Sequence, residues 1–173
     1  GAGKTYTMMG GTDYRTRGIV PRSIKAVFEE VSNQVDKQFV PRLLAIHVGD
    51  RVNFPNSDNI RHHVYSFSPP KPFELKLYAG TPANPVLFDK PGIVVLGCNI
   101  HDKMMAWVVV VETPYLGLTG AIGAISLRNV PAGAYRLRVW HPELPPGGAA
   151  FDTALSVAGA AASANVRLPV AGR

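Results

Sequence analysis

The segment Gly97-Cys98-Asn99-Ile100-His101-Asp102-Lys103-Met104-Met105 carries a thiol, an imidazole and a thioether at Cys-x2-His-x2-Met spacing. Together they make a soft ligand set. Sulfur donors with imidazole favour copper over calcium, magnesium or manganese. A mononuclear copper electron-transfer centre takes two imidazoles and one thiolate in a trigonal plane, with a weak axial thioether. The loop supplies the thiolate through Cys98, one imidazole through His101 and the thioether through Met104, with Met105 as the alternative. The second imidazole has to come from elsewhere. His62-His63, just before an apolar run, is the candidate pair. Neighbouring side chains on an extended chain point to opposite faces, so one of the two reaches the metal and the other faces away.

Two other chemistries fit parts of this pattern. A Cys/His2 zinc site with water as fourth ligand is the hydrolytic alternative. A methionine at axial spacing, with no general base placed beside it, argues against that. A metal-free β-domain whose Cys98 loop packs as core is the second alternative, since a lone cysteine is most often a small buried hydrophobe. His47, between Ile46 and Val48, and His141, between Trp140 and Pro142, read as structural. Asp102 and Glu74 read as solvated charges or as acceptors that orient a ligand ring.

These residues must be held by extended chain. From about Val35 the apolar pattern has period two: Val40, Leu43–Ile46, Val48, Val52 and Phe54, broken by Gly49-Asp50 and Pro55-Asn56-Ser57-Asp58. His63–Phe67 reads as a strand ended by Pro69-Pro70, and Phe73–Tyr78 alternates apolar with charged residues as a half-buried strand does. A short strand follows at Val86–Phe88, then a turn at Asp89-Lys90-Pro91-Gly92. Ile93–Leu96 and Trp107–Val111 are buried strands bracketing the Cys98 loop. Beyond Thr113-Pro114 a second β pattern offers strands at Ala124–Leu127, Tyr135–Trp140 and Val166–Pro169. The expected fold class is therefore mainly β: a β-sandwich over 35–112 and a small β-sandwich-like domain over 113–173.

Composition agrees with that class. The chain has 173 residues, 46% apolar and 17% charged, with 17 Gly and 15 Pro. This buries a core and turns often, which excludes general disorder and disfavours a helix bundle. The net charge of +6 is spread along the chain without a Lys/Arg cluster, so a nucleic-acid footprint is not expected. The longest apolar run, Ala106–Val111, is far short of a membrane span. A single cysteine excludes an intrachain disulfide and a CxxC zinc site. No secretory leader is expected at Gly1.

Residues 1–34 read differently. Gly1-Ala2-Gly3-Lys4-Thr5 is the second half of a phosphate-binding loop, and Ile24, Val27, Phe28 and Val31 recur at helical spacing behind Pro21. GAGKTYTMMG over Gly1–Gly10 and RGIVPRSIKAVFEEV over Arg17–Val31 resemble the phosphate loop and following helix of a kinesin motor domain. That resemblance implies a nucleotide-binding role for Gly3, Lys4 and Thr5. The switch motifs of such motors are absent, and half a loop does not converge enough backbone N–H groups on an anion. The expectation is a fusion or chimera remnant with a short helix and no working ATP site.

Phe54-Pro55-Asn56-Ser57-Asp58, His62-His63-Val64-Tyr65-Ser66-Phe67 and Gly97-Cys98-Asn99-Ile100-His101-Asp102 resemble the cupredoxins, closest to the plastocyanin/amicyanin branch and to proteins described as methylamine-utilisation proteins. The resemblance implies a Greek-key sandwich over 35–112. It implies copper held by His62, Cys98, His101 and Met104, with His63 where that branch usually has Asn. It further implies single-electron transfer without catalysis and a transient redox protein partner. The setting it implies is periplasmic, and it implies a docking patch around His101, with Ile100, Pro69 and Pro70 as candidates. The 113–173 segment, through Asn129–Tyr135 and Val139-Trp140-His141-Pro142, resembles a carboxypeptidase-regulatory-like β-domain.

Overall fold

The computed structural model describes residues 37–145, 150–159 and 161–170. The helix expected over Pro21–Val31 and the phosphate-loop residues Gly3, Lys4 and Thr5 lie outside the described residues. The described chain divides into two compact units, one ending at Glu112 and the other beginning at Thr113. Every regular element among the described residues is a strand.

The first unit holds β1 (Leu43–His47), β2 (Arg51–Val52), β3 (His62–Ser66), β4 (Phe73–Tyr78), β5 (Val86–Leu87), β6 (Gly92–Cys98) and β7 (Met105–Val111). Five of them form one sheet in the order β1-β7-β6-β3-β4, and β2 pairs with β5 in a second, short ladder. β1 runs parallel to β7, and the other neighbours are antiparallel. Alternation decides which side chains go inward. On β6, Val94, Leu96 and Cys98 are buried while Val95 is exposed. On β3, His62, Val64 and Ser66 are buried while His63 and Tyr65 are half-buried. Val52 and Phe54 from the β2 side, and Phe88 after β5, share one core with Val64, Val94, Leu96 and Val108 from the large sheet. Two sheets closing on one core make this unit a β-sandwich. Each large aliphatic or aromatic chain in that core contributes about 1.5–3 kcal/mol.

β7 does not alternate. Val108, Val109, Val110 and Val111 are all buried, so a near-continuous apolar run was required there.

The second unit contains β8 (Gly133–Val139) and β9 (Phe151–Val157), paired antiparallel over seven residues from Gly133↔Val157 to Val139↔Phe151. Leu137, Val139 and Leu168 form its small core, with Leu144, Leu155, Val166 and Val170 packed on it. Two sequence expectations change here, and one strand is added. Ala124–Leu127 and Val166–Pro169 are not strands. The second of these is apolar because Val166 and Leu168 pack on the hairpin, and packing without a ladder partner leaves it irregular. Phe151–Val157, whose Phe151, Thr153, Leu155 and Val157 share a face, is the strand that pairs instead.

Candidate metal centre

Cys98 ends β6, and its Cα partner across the ladder is Val64. His62 lies two residues before Val64 on the same inward face. Period two therefore sets the His62 ring beside the Cys98 sulfur rather than on the outer face. The Asn99 N–H donates to the His63 carbonyl at 3.1 Å, which extends the pairing by one step beyond Cys98. The chain then turns. The Met104 N–H donates to the His101 carbonyl at 3.0 Å, closing the turn from which His101 folds back over the end of the sheet.

The result is a three-donor cluster. The Cys98 Sγ lies 3.6 Å from His62 Nδ1 and 3.8 Å from His101 Nδ1. All three donor atoms fall within 4.8 Å of one another. The two imidazole rings are 5.0 Å apart and inclined at 42°. Metal–nitrogen and metal–sulfur bonds of roughly 2.0–2.3 Å, about 120° apart, span about 3.6–3.8 Å between donors. The cluster thus has the spacing that one shared ion requires, and its donor chemistry is that of a soft first-row metal.

Burial differs among the donors. His62 is 4% exposed and Cys98 4%, whereas the His101 ring is half-exposed. Met104 is buried in the same core as Cys98 and lines a small cavity together with His62, Phe54 and Tyr78. Burial first, and the nearby Cys98 sulfur second, push the Tyr78 phenol well above its ordinary range. Tyr78 packs against the core, partly buried, as one wall of this cavity.

The remaining expected residues stand elsewhere. His63 points to the outer face, where its Nε2 meets Glu74 at 2.8 Å and its ring meets Tyr65 edge-on. Met105, at the start of β7, is exposed at 42% and pairs with Gly97 of β6. Glu74 serves His63 rather than a donor of the cluster, and Asp102 is exposed. Ile100 is exposed, next to His101 in the chain. Pro69 and Pro70 are not beside it: Pro70 packs on Gly92, at the far end of β6 from Cys98. Six residues of strand put roughly 20 Å between those ends. β3 runs antiparallel to β6, so the chain leaving β3 arrives where β6 begins.

The residue that sequence reasoning passed over is Asp58. Its Oδ2 lies 3.1 Å from His62 Nε2, on the side of the ring away from Cys98. The signal was present as a carboxylate four positions before a candidate ligand, inside an Asn-Ser-Asp-Asn turn.

No known family profile matches the chain. Kinesin-like protein KLP1 of Chlamydomonas reinhardtii is 55% identical over 40 residues, 22% of this chain, which therefore spans only 5% of that protein's length. Among solved structures, a purple cupredoxin from Nitrosopumilus maritimus is 21% identical, covering 49% of this chain and 95% of its own, at a TM-score of 0.42. A reduced amicyanin variant is 20% identical over 53% of this chain and 85% of its own, at 0.41. A copper-containing nitrite reductase from Thermus scotoductus is 26% identical over 59% of this chain and 25% of its own, at 0.45.

Proposed function

We propose that the chain is a single-electron carrier in which Cys98, His62 and His101 would hold one copper ion, with the Met104 thioether as a fourth, weaker donor. The observation that carries this reading is the pair of Sγ–Nδ1 distances, 3.6 and 3.8 Å, among side chains drawn from β3, β6 and the following turn. A bound copper would supply reversible Cu(II)/Cu(I) chemistry. The chain supplies the rest. His62 and Cys98 are fixed on paired strands, so the donor positions would change little between oxidation states. With Cys98, His62, His101 and Met104 on the ion, no coordination position would be left for a substrate, and Phe54, Val64 and Leu96 are buried in the core that holds Cys98 and Met104. That is the arrangement of a carrier rather than a catalyst. His101 alone among the donors offers a ring edge to solvent, so electrons enter and leave through it. Encounters with a protein redox partner at this edge, beside Ile100, bury little area and are short-lived.

The sequence resemblance to the plastocyanin/amicyanin branch supports the same ligand set and a periplasmic setting. In this reading residues 35–112 are the copper domain, 113–173 a carboxypeptidase-regulatory-like companion, and 1–34 a motor-like remnant without nucleotide chemistry. Oxidised protein loaded with one equivalent of Cu(II) is expected to show an intense visible thiolate-to-copper charge-transfer band, and the Cys98→Ser variant to lack it. A wild type without the band, or tight zinc binding without any coloured copper form, overturns the proposal.

A further inference from the structure

The carboxylate of Asp58 and the ring of His62 are both almost fully buried, 3% and 4% exposed, with Oδ2 and Nε2 3.1 Å apart. A buried carboxylate is costly unless its charge and lone pairs are met. Lys37 Nζ reaches the same Oδ2 at 2.9 Å, and the Asn59 N–H donates to Oδ1 at 2.7 Å. The turn that carries Asp58 is itself pinned. The Asn56 side chain accepts from the Asp58 N–H at 2.9 Å and donates to the carbonyls of Ile60 at 2.8 Å and Tyr78 at 3.0 Å. Asp58 is thus held at two levels, by its own backbone turn and by a cation.

An ionised carboxylate accepts hydrogen bonds and cannot donate them. The proton on the neutral His62 ring must then sit on Nε2. That leaves the Nδ1 lone pair pointing at Cys98, the side where a metal would bind. We infer that Asp58 is a positioning residue: it locks His62 in the Nε2–H tautomer and in one ring orientation, and Lys37, 2.9 Å from the same Oδ2, holds the carboxylate in place. The inference rests on the copper reading only for its effect on the ion. The tautomer lock is a property of the metal-free chain. A carboxylate on the far nitrogen also makes the ring a stronger donor, which favours the higher oxidation state.

Two measurements on the whole 173-residue chain separate the parts. In metal-free, 15N-labelled wild type, long-range proton–nitrogen correlations are expected to show His62 as the Nε2–H tautomer, and Asp58→Ala to turn it into a mixture. Asp58→Asn retains an acceptor without the charge, so it is expected to keep the tautomer and the fold. Copper-loaded Asp58→Asn is expected to lose about 10–100-fold in Cu(II) affinity. Where Cu(I) affinity is unchanged, each tenfold raises the reduction potential by about 59 mV. A wild-type ring protonated on Nδ1, or a tautomer indifferent to Asp58→Ala, overturns the lock. A confirmed lock with no shift in Cu(II) affinity or potential in Asp58→Asn overturns the tuning. A confirmed lock in a protein that shows no charge-transfer band would count against the copper reading alone.

Discussion

Tyr65 rests on Gly97, the residue before the candidate thiolate: a Cβ at position 97 would lie 2.8 Å from both Cζ and Oη of the phenol ring. Gly97 is Cα partner to Tyr65 across β3–β6. The outer face of the sheet thus closes over the Cys98 backbone with an aromatic lid that stacks on to Phe67, ring centre to ring centre 5.0 Å. Gly97→Ala has to move either the ring or the strand. The atoms it meets are the outer end of the Tyr65 side chain, which can swing aside, so the cost is expected at the low end of overpacking, about 1 kcal/mol. Thermal melts of the metal-free protein check the cost. In a Tyr65→Ala background, where the space is free, Gly97→Ala is expected to add no further cost, and an equal cost with and without the Tyr65 ring would sink the explanation.

The two adjacent histidines are separable by face. His62 is buried beside Cys98, whereas His63 forms a partly exposed pair with Glu74. His62→Ala is expected to weaken copper binding by more than the roughly 10–100-fold loss typical of an outer partner. His63→Ala is expected to leave copper binding intact and to change stability by under about 1 kcal/mol, since such pairs are worth little. Chelator competition on both variants reads the difference. Equal losses in the two would mean that the face assignment is wrong.

How much of this could be read from the text depends on distance along the chain. Cys98, His101 and Met104 fall within seven residues, so type and spacing alone bring them together and only the turn had to be supplied. His62 is 36 residues from Cys98. Choosing it over His63 takes knowledge of the β3–β6 register, because a one-residue slip exchanges the two faces. Asp58 escaped because a turn, not a periodic element, swings its carboxylate on to the ring. The proline patch was misplaced for a topological reason: nearness to His62-His63 in sequence says nothing about which end of an antiparallel neighbour the chain reaches. In the second unit, Phe151–Val157 alternates correctly, but Asp152 and Ser156 dilute the apolar signal. Ala124–Leu127 has the composition of a strand and lacks a ladder partner, and composition does not encode a partner.

Leu96 tests whether the sandwich core and the site are one body. It is fully buried, two residues before Cys98 on the same face of β6. Leu96→Ala removes packing next to the sulfur and is expected to cost about 2–5 kcal/mol. If the cavity stays dry and the strand holds, Cu(II) still binds and the charge-transfer band persists with a shifted position. Loss of copper binding in a variant that remains folded by circular dichroism would mean that the ligand set depends on this packing and not on strand register alone.

The hairpin of the second unit offers a pH test. Arg138 holds Asp152 across β8–β9 through two hydrogen bonds of 2.6 Å. That hydrogen bonding, opposed by burial and helped by the charges of Arg138 and Arg136, keeps the Asp152 carboxyl below the ordinary carboxylate range. A depressed folded value means stability that is present above the unfolded pKa of about 3.9 and lost as pH falls through the folded value. The pair is partly exposed, so screening limits its worth to about 0.2–1 kcal/mol. Asp152→Asn is therefore expected to be less stable than wild type by that amount at pH 7 and equal to it in strong acid. Urea unfolding followed through Trp140, which is buried in the same unit, measures the gap at each pH. A gap that is as wide in strong acid as at neutrality would assign the effect to strand packing instead of charge.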